Sequence, residues 1–117
     1  MSVARFIGML MRSRERAHVF HLTTPSFAEH KALQAYYEGI VPLLDSYAEA
    51  YMGKYGRLGR VPIPPNRTVR KVSPRMYFKK LLMNIRRLKL PRDTYLKNIQ
   101  DEITALVRST LYMLTLK

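Results

Sequence analysis

The sequence contains no cysteine and no tryptophan, and its acidic residues are few. The absence of cysteine excludes disulfides, thiolate metal sites and cysteine nucleophiles, and it fits a reducing compartment. The longest apolar stretch near the start, residues 6–11, is much shorter than the roughly 20 residues of a membrane span, and no signal-peptide cleavage site follows it. We therefore expect a protein without a membrane segment or a membrane partner.

The charge of the chain is strongly positive and unevenly placed. Eight acidic residues stand against 21 lysines and arginines, which gives a formal net charge of +13. Residues 57–92 hold 12 of these 13 net charges and no acidic residue, whereas residues 24–56 have a net charge of −2. A basic excess of this size indicates an acidic partner, most simply nucleic acid or another polyanion.

The length of 117 residues fits one domain, and hydrophobic periodicity predicts four α-helices and no strand. The predicted helices span residues 2–22, 25–54, 74–89 and 94–115. Thr24, Ser73 and Asp93 are the expected N-caps of the last three helices. Pro42 is expected to kink the second helix or to end it early.

The connections between the predicted helices differ in length, and this difference predicts the architecture. The first and last connections are short, whereas residues 57–73 form a long basic segment that is rich in glycine and proline. Two helical hairpins joined by such a crossover favour an all-α, ferritin-like four-helix bundle, as one domain over residues 1–117.

Histidines and carboxylates of the first two helices form the first candidate site. His18 and His30 come to the same level if the chain folds back near residue 24. Asp45 and Glu49 lie one turn apart, but Asp45 is about 22 Å along the helix from His30. One chain therefore cannot bring all four residues to one ion. A two-fold dimer with antiparallel second helices would do so, with the histidines from one subunit and the carboxylates from the other.

The same four residues carry a resemblance to a known family. Residues 17–51, AHVFHLTTPSFAEHKALQAYYEGIVPLLDSYAEAY, resemble the first helical hairpin of the Dps miniferritins. The similarity lies in the spacing of the four residues, in the Phe-x-x-His of residues 27–30 and in the Asp-x-x-Ala-Glu of residues 45–49. Residues 26–33 and 101–114 also resemble an uncharacterised ferritin-like family of tailed bacteriophages.

The resemblance implies an iron site, or a site for zinc or manganese, that two subunits share. His18, His30, Asp45 and Glu49 would be the ligands, and ferroxidase-type oxidation of iron by oxygen or peroxide would be the chemistry. Gln34 stands where the Dps family usually has a further acidic ligand, and Val19 stands where it has tryptophan. A single-metal site, or binding without rapid oxidation, is therefore also open. The resemblance implies a homo-oligomer, from a dimer up to a shell of twelve subunits.

Each of these features also has a purely structural interpretation. The four ligand-type residues could form an ordinary polar contact between helices. His21 is better explained as a packed or capping residue than as a ligand, and Gln34 and His21 could otherwise support the ligands by hydrogen bonds. The tyrosines at helical spacing favour core and interface packing, and the methionines favour gap filling.

The second candidate site is a nucleic-acid-binding surface on the crossover and the third helix. Phosphate contacts from such a surface would be largely independent of base sequence and sensitive to salt. The alternatives are a solvated face and a surface that docks an acidic protein. The candidate residues are Arg57, Arg60, Arg67, Arg70, Lys71, Lys79, Lys80, Arg86 and Arg87.

These observations leave two hypotheses. The first is a Dps-like miniferritin that binds iron between subunits and carries a basic surface suited to DNA. The second is a non-catalytic phage virion protein, or a nucleic-acid- or partner-binding protein, that retains only the bundle. The expected location is the cytoplasm of a bacterial host or a phage virion.

Overall fold

Four α-helices make up the regular structure in the part of the chain that the computed structural model describes, residues 2–65 and 72–116. They are α1 (Ser2–Thr23), α2 (Phe27–Tyr55), α3 (Pro74–Arg87) and α4 (Thr94–Met113). The prediction of four helices is confirmed. Within the described ranges, no helix combines the length and the apolar character that crossing a bilayer requires.

The helices form a ring in which α1 neighbours α2 and α3, and α4 neighbours the same two helices. α1 and α2 form an antiparallel hairpin. α2 is antiparallel to α4, because Lys54 near its end contacts Asp93 at the start of α4. α3 begins beside the end of α1, where the rings of Phe20 and Tyr77 meet. The chain therefore runs up, down, down and up, so that α2 and α3 are parallel and face each other across a diagonal.

Aromatic side chains fill the centre of this ring. Tyr36 of α2 and Phe78 of α3 meet edge to face across the diagonal, with ring centroids 4.7 Å apart. Phe6 of α1 packs against Tyr47 of α2 in the same manner, at 5.1 Å. All four side chains are fully buried, and aromatic pairs of this geometry add about 0.5–1.5 kcal/mol beyond the burial of their surface.

One buried polar pair lies within this core. The Tyr36 hydroxyl and the Ser13 hydroxyl are 2.6 Å apart, and the Ser13 hydroxyl donates to the Leu10 carbonyl oxygen at 2.7 Å. Because the single proton of Ser13 is used in that bond, Tyr36 donates to Ser13. Burial raises the pKa of Tyr36, so the phenol stays neutral and keeps its donor.

The turn between α1 and α2 differs from the sequence prediction. Ser26, not Thr24, is the N-cap of α2, and its hydroxyl accepts a hydrogen bond from the Glu29 backbone N–H at 3.2 Å. Thr24 lies in the turn and donates to the Glu29 carboxylate at 2.7 Å. The expectation of a Thr24 cap was wrong. The backbone N–H of Glu29 binds Ser26 and its carboxylate binds Thr24, so the helix starts two residues later than predicted.

The N-cap positions of α3 and α4 both agree with the sequence prediction, but only Ser73 caps its helix through its side chain. The Ser73 hydroxyl accepts from the Met76 backbone N–H at 3.1 Å, and Pro74 occupies the first helical position. Asp93 precedes α4, but its side chain makes no capping hydrogen bond. Its carboxylate instead binds Lys54 and accepts from the Tyr55 hydroxyl at 2.7 Å. Asp93 therefore ties the end of α2 to the start of α4.

α2 runs without interruption through Pro42, so it does not end early there. Its last residue is Tyr55, and Gly56 is the C-cap, with a φ of 93° in the region that favours glycine. The following residues, up to 65, form no helix and pass across α1. A Cβ atom added at Gly8 would overlap the Pro62 carbonyl oxygen, and the Arg12 Nε donates to the Pro64 carbonyl oxygen at 2.6 Å. The absent side chain at Gly8 thus allows residues 62–64 to lie directly on α1.

Candidate functional sites

His21 and His30 form the central pair of the histidine cluster. Their rings are stacked, with centroids 3.7 Å apart and planes inclined by 18°. The His21 Nδ1 lies 2.7 Å from the His30 carbonyl oxygen, and the His30 Nδ1 lies 2.8 Å from the His21 carbonyl oxygen. This reciprocal pair joins the last turn of α1 to the first turns of α2.

The two hydrogen bonds fix the tautomer of both rings. A carbonyl oxygen only accepts, so each Nδ1 carries the proton. When the ring is neutral, its lone pair then lies on Nε2. A histidine that donates from one nitrogen to a backbone carbonyl and keeps the other free has the arrangement usual among metal ligands.

His18 lies next to this pair and not opposite His30. Its ring stacks on Tyr37 at 4.5 Å and approaches His21 at 6.1 Å. The Arg14 guanidinium lies 5.7 Å from the centre of the Tyr37 ring. The turn extends to Ser26, so the register between α1 and α2 pairs His30 with His21, whereas the sequence placed His18 at that level.

The predicted carboxylate ligands lie further along α2. Asp45 and Glu49 are exposed, and Gln34 is half-buried. Asp45 borders a groove of about 550 Å³ together with Met11 and Arg57. Within residues 2–65 and 72–116 of a single chain, no three histidine, aspartate or glutamate side chains lie close enough together to hold an ion.

The candidate basic surface lies mainly on α3. Four buried residues, Phe78, Leu81, Leu82 and Ile85, define the inner side of the helix. At 100° per residue, Arg75, Lys79 and Arg86 lie along one edge of the exposed side, next to the buried side. Lys80 and Arg87 lie along a second edge, opposite the buried side. All five are exposed, as are Arg57 and Arg60 of the crossover. Arg67, Arg70 and Lys71 lie outside the described residues.

No carboxylate neutralises this surface in the part of the chain that the structure describes. The ion pairs there are Arg12 with Glu15 and Lys54 with Asp93. None of the five basic residues of α3 takes part in either. The basic face of α3 is therefore free to take its counterions from a partner.

A groove of about 610 Å³ lies beside the basic face, between α1 and α3. Met9, Met76, Tyr77 and Met83 contribute apolar surface, whereas Arg12, Arg16, Lys79 and Lys80 contribute positive charge. Arg16 lies 5.6 Å from the centre of the Tyr77 ring. Burial raises the pKa of Tyr77 to about 12, against the opposing influence of the Arg16 and Arg12 charges.

The sequence prediction missed this groove and interpreted its methionines as gap fillers. Met76 is 63% exposed and Met83 is 54% exposed. They lie seven residues apart, so they share one side of α3, between the two basic edges. The seven-residue spacing of these methionines was the feature of the sequence that could have indicated an exposed apolar strip on α3. The groove itself also requires the contact of Pro64 with Arg12, which no local pattern indicates.

Comparison with known proteins assigns the chain to a family. A family model described as a family of unknown function, DUF5856, matches residues 21–114. The chain belongs to the DUF5856 family. The matched residues include α2, α3 and α4 and the His21–His30 pair, whereas most of α1 precedes them.

A phage protein is also similar to this DUF5856 member. It is described as an uncharacterized 14.6 kDa protein in the mobD-ri intergenic region of Enterobacteria phage T4. The two are 25% identical over 117 residues, which cover 96% of this chain and 87% of the phage protein. This similarity agrees with the phage resemblance of the sequence. No solved structure matches the chain.

Proposed function

We propose that this protein binds nucleic acid through the basic face of α3, defined as Arg75, Lys79, Lys80, Arg86 and Arg87. The observation that supports this function is the concentration of five exposed, unpaired positive charges on a helix of 14 residues. A helix of this length extends about 21 Å. The face therefore spans several phosphates of a nucleic acid backbone.

The chemistry of this face favours contacts with phosphates over contacts with particular bases. Lysine and arginine side chains on two edges of a helix neutralise phosphates and release their counterions. Such binding weakens steeply as salt rises. The exposed carboxylates Asp101 and Glu102 of α4 make α4 a poor candidate for a helix that enters a DNA groove.

Charge reversal tests the proposal directly. The variant Lys79→Glu with Arg86→Glu and Arg87→Glu should lose most DNA affinity in fluorescence anisotropy. The slope of log affinity against log salt should fall by about 0.7–0.9 for each phosphate contact that is lost.

A matched control separates position from total charge. Arg5, Lys97 and Arg108 are also exposed helical residues, and reversing these three gives the same net charge. The control should retain most of its affinity. Equal losses in the two triple variants, or binding that survives reversal on α3, would contradict the role of this face.

A second candidate function is metal binding between two copies of a ferritin-like bundle. The up, down, down, up path of the helices supports the ferritin-like assignment. The free Nε2 of His30 and the exposed, unpaired Asp45 and Glu49 support the ligand set of His18, His30, Asp45 and Glu49. Imidazole nitrogen and carboxylate oxygen are suitable donors for iron, zinc or manganese.

The metal proposal requires a second subunit. His18 of α1 and His30 of α2 lie near the start of α2, and the two carboxylates lie beyond its middle. The four residues would meet across a two-fold axis with antiparallel α2 helices. His21 and Gln34 would then orient the ligands through hydrogen bonds. If the site oxidises iron, the iron ion is its substrate. If the site only binds iron, the ion is a bound ligand of the protein.

Metal analysis after anaerobic ferrous loading tests this second function. The pair Asp45→Asn and Glu49→Gln should lose the bound metal, and the control pair Glu38→Gln and Asp101→Asn, also at exposed carboxylates, should keep it. Sedimentation should show a dimer or a larger assembly. A monomer, or wild-type protein without stoichiometric metal, would contradict the shared site.

A further inference from the structure

The groove between α1 and α3 has both apolar and positively charged side chains in its lining. The backbone of a duplex would contact the charged side chains but not the apolar ones. The lining of the groove includes Met9, Met76, Met83 and Tyr77 together with the exposed Lys79 and Lys80. The volume of about 610 Å³ lies within the range of about 300–1,000 Å³ that is typical of sites for small ligands.

The two lysines and the two arginines at the groove are not equivalent. Arg12 pairs with Glu15 at 3.2 Å and donates to Pro64, and Arg16 lies over the Phe20 ring at 4.7 Å. Lys79 and Lys80 are exposed and make no ion pair within residues 2–65 and 72–116. The lysines are therefore the groups that can take new anionic contacts.

Met76 and Met83 give the groove an apolar surface, which is suited to contact with an apolar or aromatic group and not with a phosphate. Met76 and Met83 expose more than half of their side chains between cationic residues. A nucleobase presents a flat apolar face, and its own backbone carries the phosphate. One strand with unstacked bases satisfies both parts of the site at once.

We propose that this groove binds the bases of single-stranded nucleic acid while Lys79 and Lys80 hold the adjacent phosphates. This inference rests on the proposed nucleic-acid function and specifies the form of its ligand. Paired and stacked bases in a duplex do not reach the groove, so a duplex contacts only the basic face of α3.

The strand preference distinguishes base binding from a purely electrostatic interaction. Duplex DNA has a higher charge density than a single strand, and a surface that reads only charge binds the duplex more tightly. A preference for the single strand at equal salt must therefore come from the bases. Stacking on an aromatic side chain, here Tyr77 of the groove lining, changes affinity by roughly 5- to 150-fold per base.

The experiment compares three probes of about 20 nucleotides, a length above the usual single-strand site size. They are oligothymidine, an abasic strand with the same phosphates, and a duplex of mixed sequence. We expect oligothymidine to bind at least about 5-fold more tightly than the abasic strand, and more tightly than the duplex. Equal affinity for oligothymidine and the abasic strand would overturn the inference.

Truncation of the exposed methionines locates the effect. Met76→Ala with Met83→Ala should remove most of the advantage of oligothymidine over the abasic strand and leave duplex affinity unchanged. Met11→Ala is the control, because Met11 borders the separate groove near Asp45. An advantage that persists in the double variant would place base binding elsewhere and overturn the assignment to this groove.

The outcomes also separate this inference from the function on which it rests. Binding of all three probes in proportion to their charge would support the basic face and overturn the groove. Failure of all three probes to bind at low salt would overturn both. Circular dichroism of the double variant should match the wild-type protein, since neither methionine belongs to the buried core.

Discussion

His21 and His30 hold each other through two hydrogen bonds, in which each ring donates to the carbonyl oxygen of the other residue. The two bonds join α1 and α2 on either side of the turn between residues 23 and 27, where the chain reverses its direction. They also leave one nitrogen on each ring without a proton when the rings are neutral. The same two hydrogen bonds therefore stabilise the hairpin and leave the Nε2 of His30 available as a candidate metal ligand.

Replacement of His21 should destabilise the α1–α2 hairpin. His21 is 7% exposed, so His21→Ala loses a buried ring, its stacking on His30 and one hydrogen bond. We expect a loss of about 1–2 kcal/mol in the free energy of unfolding, measured with urea. His18→Ala is the control, because the His18 ring stacks on Tyr37, and it should cost less. Equal unfolding midpoints for the two variants would contradict the importance of the reciprocal bonds.

The Ser13–Tyr36 bond predicts an asymmetry between two conservative variants. Ser13→Ala leaves the fully buried Tyr36 hydroxyl without its acceptor, which should cost about 1–3 kcal/mol. Tyr36→Phe leaves Ser13 bonded to Leu10, which should cost about 0.5–1.5 kcal/mol. Urea unfolding measures both. A larger loss in Tyr36→Phe would argue against the donor direction given above.

Two glycine-to-alanine variants should change stability in opposite directions. At Gly8 an added Cβ atom overlaps the Pro62 carbonyl oxygen, so Gly8→Ala must displace the chain at Pro62 and should cost about 1–3 kcal/mol. At Gly53, in the last turn of α2, the added atom meets nothing within 4 Å. Gly53→Ala should therefore leave stability unchanged or raise it by up to about 1 kcal/mol. Thermal unfolding of both variants checks the close approach of the crossover to α1.

The Asp93 cluster predicts a dependence of stability on pH. Hydrogen bonds from Lys54 and Tyr55 lower the pKa of Asp93 below its ordinary value of 3.8. A carboxyl whose pKa is lower in the folded state stabilises the fold above its unfolded pKa, and this stabilisation is lost as pH falls through the folded pKa. Unfolding free energies between about pH 5 and pH 2 should therefore fall less steeply for Asp93→Asn than for the wild-type protein. Parallel curves would contradict a role for the charged form.

The number and approximate bounds of the helices could be predicted because each helix has its own apolar periodicity. In α3 the buried Phe78, Leu81, Leu82 and Ile85 form one side, and this pattern also identifies the opposite, basic side. The exposure of Lys79 and Arg86 follows from it. These properties depend on local sequence, so a single chain is sufficient to predict them.

The register of the first hairpin could not be predicted from helical periodicity, and the available signal was the Ser26-x-x-Glu29 spacing, which is typical of a capping box. Thr24 and Ser26 are both good N-cap residues, and only the position of Glu29 relative to the two hydroxyls decides between them. A shift of two residues in the start of α2 changes the partner of His30 from His18 to His21. Helical periodicity carries no information on this choice.

The groove and the true contacts of Asp93 depend on residues far apart in sequence. The groove requires Pro64 to lie on Arg12, and Asp93 gives up its capping role because Lys54 and Tyr55 approach from the end of α2. Neither contact has a sequence pattern of its own. Such contacts follow from the packing of the whole bundle.

The diagonal placement of α2 and α3 has an electrical consequence. α2 carries more acidic than basic residues, whereas all charged residues of α3 are basic, and the two helices lie on opposite corners of the ring. The charges of these two helices therefore form a dipole, which would orient the molecule in the field of a polyanion. The molecule would arrive with α3 first and Asp45 and Glu49 on the far side. Neighbouring copies along one strand would then all display the same acidic helix outward.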